Sequence, residues 1–101
     1  MAVKKQKAKK RPVVVTTTNY GVFFGYTTED GRGETIALTG ARNAFYWKVP
    51  VGTGLAQLSL TGPIEGSKIG AAADVVLRSV ARVYQCTPEA ERVWIGSSWS
   101  K

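Results

Sequence analysis

Residues 13–47 read "VVVTTTNYGVFFGYTTEDGRGETIALTGARNAFYW", and the fold turns on how this run is divided. Residues 13–18, VVVTTT, are all β-branched, which favours extended backbone. Asn19 suits a turn. From residue 20 to 26, Tyr20, Val22, Phe24 and Tyr26 alternate with Gly21, Phe23 and Gly25, the two-residue period of a strand. Asp30-Gly31 inside TEDGRGE is the strongest hairpin signal in the chain. Residues 34–40 read as a third strand with Ile36 and Leu38 on one face. Residues 41–49 read as a fourth, alternating Asn43, Phe45 and Trp47 with Arg42, Ala44, Tyr46 and Lys48. Four short strands joined by tight turns make a meander.

Outward from this run the patterning changes. In residues 50–63, Leu55 and Leu58, with Gln57 and Leu60, fit one or two helical turns between glycines, with Thr53 as a candidate N-cap and Thr61-Gly62-Pro63 as the stop. Residues 64–73 read as a loop. Residues 74–86 have two readings. Val76, Val80, Val83 and Tyr84 have helical spacing, whereas the β-branched content and the alternation of Val76, Arg78, Val80, Arg82 and Tyr84 favour a strand. The strand is the preferred reading. Thr87-Pro88 is an N-cap and first-turn pair followed by acids, which predicts a short helix over 87–94. Residues 95–101 form a tail, with Trp94 and Trp99 available to dock on the sheet.

The chain has 101 residues, 44% of them hydrophobic, enough for one domain with a core. No apolar run approaches the ~20 residues of a membrane-spanning helix, so no transmembrane helix is expected. The basic N-terminus is not followed by an apolar stretch, so no secretory signal is expected. Cys86 is the single cysteine, which suits a reducing cytoplasm. There is no histidine, which removes histidine-base mechanisms and leaves no Cys/His metal site to expect.

The net charge of +7 is unevenly placed. Lys4, Lys5, Lys7, Lys9, Lys10 and Arg11 are six of the fourteen basic residues, while residues 12–101 hold eight basic and seven acidic residues. Residues 1–11 are therefore expected to form a disordered basic arm ahead of a β-rich domain over 12–94. Such an arm either tethers a polyanion by counterion release or serves as a solubilising tail. It carries no aromatic residue, so DNA or RNA binding through it should be nonspecific and salt-sensitive. On the body, Arg42, Lys48, Arg78 and Arg82 are the candidates for a basic patch. Tyr20, Tyr26 and Tyr46 are candidates for stacking or for a partner surface, while Phe23 and Phe24 read as core.

The glycines do not form a phosphate loop. A dinucleotide or P-loop glycine cluster lies between a strand and a helix, whereas Gly31 and Gly33 lie between strands and suit positive φ in a turn. Gly21 and Gly25 suit a bend or a close approach of neighbouring backbone. The run NYGVFFGY echoes an RNA-recognition strand, but Asn19 replaces the cation and the βαββαβ order is missing. Glu29-Asp30 and Glu89/Glu91 lack the partners of a tuned acid–base pair. Cys86, just before a helix, reads as a small core residue, with a helix-activated thiol as the alternative. No catalytic residue, cofactor or metal site is expected.

The residues Gly21, Val22, Phe23, Gly25, Tyr26, Asp30, Gly31, Leu38, Ala41, Arg42, Tyr46 and Trp47 make a GVFxGY…DG…AR…YW segment. With Leu55, Gln57 and Leu58, then Cys86 and Thr87, this resembles a group of small uncharacterised bacteriophage proteins over residues 13–94. The resemblance implies a phage origin, and no activity. The same segment looks more loosely like an Sm-like or SH3-like small barrel, a kind that often forms rings and binds RNA.

The expected fold is mainly β or α+β: a bent antiparallel sheet or small barrel of about five strands with one or two short helices. Exposed sheet edges make a homo-oligomer a reasonable expectation. Two function classes follow. One is a non-enzymatic phage accessory protein that binds nucleic acid. The other is a protein-interaction role with a host or phage protein, as a virion component or as an inhibitor of host defence. The expected location is the cytoplasm of the bacterial host, with the virion as the alternative, and no membrane association is expected.

Overall fold

The computed structural model describes residues 10–19 and 21–96. Tyr20, residues 97–101 of the expected 95–101 tail (Trp99 among them) and the first nine residues of the expected arm lie outside the described residues, while Ile95 and Gly96 belong to the last helix rather than to a tail. The elements in order are β1 (Arg11–Thr17), β2 (Val22–Thr27), β3 (Ile36–Tyr46), α1 (Gln57–Leu60), β4 (Lys68–Ile69), β5 (Ala73–Leu77), β6 (Val80–Gln85) and α2 (Pro88–Gly96). The protein is mainly β, a six-stranded bent antiparallel sheet with two short helices.

The hairpin read from Asp30-Gly31 is present. β2 and β3 pair antiparallel, Phe24 opposite Arg42 and Tyr26 opposite Thr39, with Gly31 at φ 82° in the connection. The two strands expected over 34–40 and 41–49 are one strand, β3. Gly40 does not end it. Two β2 residues, Phe24 and Tyr26, face three steps of β3, so β3 holds one extra residue here. Gly40 sits at φ 59°, the left-handed conformation of a glycine bulge. The bulge bends the strand and shifts its parity. Ile36 and Leu38 face the same core as Ala41, after the bulge.

Residues 74–86 are strand rather than helix, as preferred, but they divide into β5 and β6. Arg78 and Ser79 separate them, and Ser79 has φ 58°. β5 pairs with β3, whereas β6 pairs with β1 on the opposite side of the meander. The corner is tied by backbone bonds from Val80 N–H to Glu34 C=O (2.9 Å) and from Thr18 N–H to Ser79 C=O (2.9 Å). The sheet thereby curls into a small barrel.

Period-two alternation then gives two cores. Val13 and Val15 of β1, Ile36, Leu38 and Ala41 of β3 and Leu77 of β5 fill the barrel interior, with Phe23 packed against them. Val14, Val22, Phe24 and Ala44 face outward and are covered by Leu58 of α1 and by Ala90 and Trp94 of α2. Gly25 lets the barrel wall pack tightly, since a Cβ there would lie 2.9 Å from Leu38 Cβ. Trp94 is fully buried, stacks on Phe24 with ring centroids 5.2 Å apart, and donates its indole N–H to Leu58 C=O (3.0 Å).

The helix over 87–94 is capped as expected. Thr87 Oγ1 accepts the Ala90 N–H (3.1 Å) and donates to Leu60 C=O (2.6 Å), joining α2 to the end of α1. Thr53 does not cap α1. Its hydroxyl turns to Pro50 C=O (2.6 Å), and α1 starts at Gln57 without a side-chain cap.

Candidate nucleic-acid interface

The turn from β1 to β2 is held from within. Thr17 Oγ1 donates to Asn19 Oδ1 (2.6 Å) and accepts the Gly21 N–H (2.9 Å), while Thr17 N–H bonds Gly21 C=O (3.0 Å). Two clefts open beside this turn and share Thr17 and Gly21 as lining. One, of about 470 Å³, is the mouth of the barrel and is lined by Phe23, Asn43, Leu77 and Arg78. The other, of about 430 Å³, lies on the outer sheet face between Trp47 and Leu55 on the helix side and Arg82 on β6, with Thr16 and Val22 beside them. The described lining of both clefts includes two arginines and no carboxylate.

The sequence-predicted cations are distributed differently from expectation. Lys4, Lys5, Lys7 and Lys9 lie outside the described residues, and Lys10 is exposed just before β1. Arg11 belongs to the barrel, not to an arm. It opens β1, its Nε donates to Gln85 Oε1 (2.8 Å), and its guanidinium also bonds Glu29 C=O. Arg42 was expected beside Lys48 on an outer basic face. It is instead buried, at 6% exposure, with Nε on Gly70 C=O (2.9 Å) and a terminal nitrogen on Trp94 C=O (2.8 Å). The physical reason is that the last carbonyls of a helix lack partners within it. α2 has no basic residue in its own last turn, and Arg42 reaches across from β3 to supply one. Desolvation lowers the Arg42 pKa.

Lys48 is exposed, and its stem lies over Gly66. Arg78 and Arg82 are also exposed, but the corner at Ser79 sends them to different clefts rather than to one strand face. Of the tyrosines, Tyr46 stands exposed at the end of β3, and Tyr20 is outside the described residues. Tyr26 is not a free stacking surface. It is half-buried against the outer core, edge-on to Phe24, and its hydroxyl donates to Glu91 Oε2 (2.5 Å). Burial first, then the Glu91 hydrogen bond and charge, push its phenol pKa well up.

Cys86 packs against the outer core, and burial, then the Glu91 charge, push its thiol up to about 12. That is the opposite of a helix-activated thiolate. Glu29 Oε2 accepts the Ala37 N–H (2.9 Å), and Asp30 Oδ1 accepts the Arg32 N–H (3.0 Å), so both acids organise the turn. Among the described residues no cluster of three Asp, Glu, Cys or His side chains converges on a metal position. No helix of the described residues is long and apolar enough to cross a membrane.

Trp47 and Leu55 carried no functional signal in the sequence. Only the topology brings them opposite Arg82. The architecture defined here is a small bent-sheet barrel flanked by two short helices, with paired clefts at one end. The model of a family described as a domain of unknown function (DUF6948) matches residues 10–94, and the chain belongs to that family. No curated protein and no solved structure gives a match.

Proposed function

We propose that this protein is a non-enzymatic nucleic-acid-binding accessory protein of bacterial viruses, acting in the host cytoplasm and holding DNA or RNA through its basic N-terminal segment. The observation that carries this reading is the placement of charge. Six cations fall within residues 4–11, and the burial of Arg42 leaves the rest of the surface close to balance. Polyanion affinity scales with the number of cations that reach phosphates. The phage assignment draws on the GVFxGY…DG…AR…YW resemblance. The non-enzymatic reading draws on the chemistry of the candidates: the one thiol is held protonated, and Glu29 and Asp30 are engaged by backbone amides.

The test is a salt series with a short labelled single strand and the full chain. Lys4, Lys5, Lys7 and Lys9 are changed together to Gln in the comparison protein. If all four contact phosphate, the slope of log affinity against log salt falls by about 2.8, at ~0.7 per contact. An unchanged affinity and slope would refute the tether.

A protein-partner reading is favoured by a separate observation. Phe45 and Tyr46, consecutive on β3, are 64% and 51% exposed. They point to opposite faces of the strand, so a homo-oligomer or a host or phage protein seated on either face would bury one of them. Sedimentation of Phe45→Ser against the parent chain tests the homo-oligomer. A lower association state in the variant supports it, and monomeric behaviour of both proteins rejects it.

A further inference from the structure

We infer that the outer cleft between Trp47, Leu55 and Arg82 is a base-stacking site for single-stranded nucleic acid, a reading that rests on the nucleic-acid function proposed above. The cleft combines the two groups that a nucleotide needs. Trp47, half-buried against the outer core, supplies an aromatic surface with its position fixed by packing. Every base has a π-face, so such a surface is sequence-tolerant. Arg82 is exposed across the cleft and supplies a cation for the phosphate. Val22, Leu55 and Ala81 supply apolar wall, Thr16, Thr17 and Thr18 line it beside them, and no carboxylate is there to repel a phosphate.

A second cleft lies beside the first. It shares Thr17 and Gly21 with the first and adds Arg78. Thr17 is a scaffold here rather than a reader, since its hydroxyl already makes one donated and one accepted bond within the turn. A base inside a duplex cannot leave its stack without cost, so the site favours single strands over duplex. The basic segment and the clefts are also compatible in reach. Arg11 and Thr17 lie at opposite ends of β1, about 20 Å apart at ~3.3 Å per residue. The ten residues preceding Arg11 extend to at most about 36 Å.

The experiment is fluorescence anisotropy of labelled oligothymidylate with the full chain at low salt. It compares the parent protein with Trp47→Ala, Trp47→Phe and Arg82→Gln, and repeats each on a duplex of equal length. Trp47→Ala is expected to weaken single-strand binding on the order of tenfold, and Trp47→Phe to retain most of it. Arg82→Gln, at an exposed site where folding is not at risk, is expected to lower the salt slope by about 0.7. Duplex binding should be insensitive to Trp47. The inference is overturned if Trp47→Ala and Arg82→Gln bind oligothymidylate like the parent. In that case dependence on Lys4, Lys5, Lys7 and Lys9 still upholds the tether. If the parent binds no nucleic acid at all, both readings fail. Displacement of the strand by polyglutamate as readily as by unlabelled oligothymidylate would assign the cleft to acidic peptides and also overturn the inference.

Discussion

Replacing Arg42 with Met tests whether a strand residue holds the end of α2. Met keeps much of the aliphatic stem and removes the guanidinium. The hydrogen bonds to Gly70 C=O and Trp94 C=O go. Each charged hydrogen bond is worth roughly 1.5–3 kcal/mol. The favourable meeting of a cation with a helix C-terminus adds up to ~2 kcal/mol in partly buried geometry. Against this, the variant no longer buries a cation, and that relief recovers several kcal/mol. The expected net loss is about 2–4 kcal/mol, a large part of the roughly 5–15 kcal/mol that holds a domain together. Urea denaturation followed by circular dichroism measures it directly, and the melting temperature should fall by roughly 10–25 °C. Arg42→Lys should lose an intermediate amount, because a single ammonium lacks the planar fork that serves two carbonyls. Amide exchange should speed up most in the last turn of α2. A variant within about 1 kcal/mol of the parent, with α2 exchange unchanged, would refute the role assigned to Arg42.

Three further outcomes follow from the packing and the titrating groups. Gly25→Ala places a methyl 2.9 Å from Leu38 Cβ and 3.3 Å from Ala41 Cα, and should cost about 1–3 kcal/mol in urea denaturation; a neutral result would mean that the barrel wall is looser than described. Thr87→Ala removes both the Ala90 cap and the bond to Leu60, for a loss of about 1–2 kcal/mol, and Thr87→Ser should recover most of it. The folded thiol of Cys86 is held up to about 12 against an ordinary 9.0, so the unfolded chain loses that proton first. Its stability contribution is complete below about pH 9 and is lost as pH rises towards 12, with Tyr26 adding a loss of the same sign above about pH 10. Urea midpoints should therefore fall less steeply for Cys86→Ala than for the parent between about pH 9 and 10, and parallel curves would contradict this.

Much of the fold was legible because it depends on near neighbours. The alternation of Val22, Phe23 and Phe24 does divide them between two cores. Thr87-Pro88 does open a helix, because a cap needs only the next turn. The β-branched content of residues 74–86 did outweigh their helical spacing. What stayed hidden depends on distant partners. Gly40 resembles a turn in sequence, but its left-handed φ makes a bulge within one long strand, because β2 and β5 continue to pair on either side. Arg42 alternates like a surface cation, yet its partner Trp94 lies 52 residues away. Tyr26 alternates like an outer-face residue, yet its partner Glu91, on the helix that covers that face, lies 65 residues away. Trp47 and Arg82 had no local pattern linking them, and the cleft they share exists only once β6 has crossed to pair with β1.

If nucleic acid binds as proposed, a strand meets this protein at the β1–β2 end of the barrel as well as along its basic segment. Titration of the isotope-labelled full chain with oligothymidylate, followed by amide and indole NMR shifts, tests it most directly. The largest body shifts are expected at Thr17, Gly21 and Arg82 and at the indole N–H of Trp47, with small changes at Ala90 and Glu91 of α2. Shifts confined to residues 2–11, or centred on Phe45 and Tyr46, would contradict it.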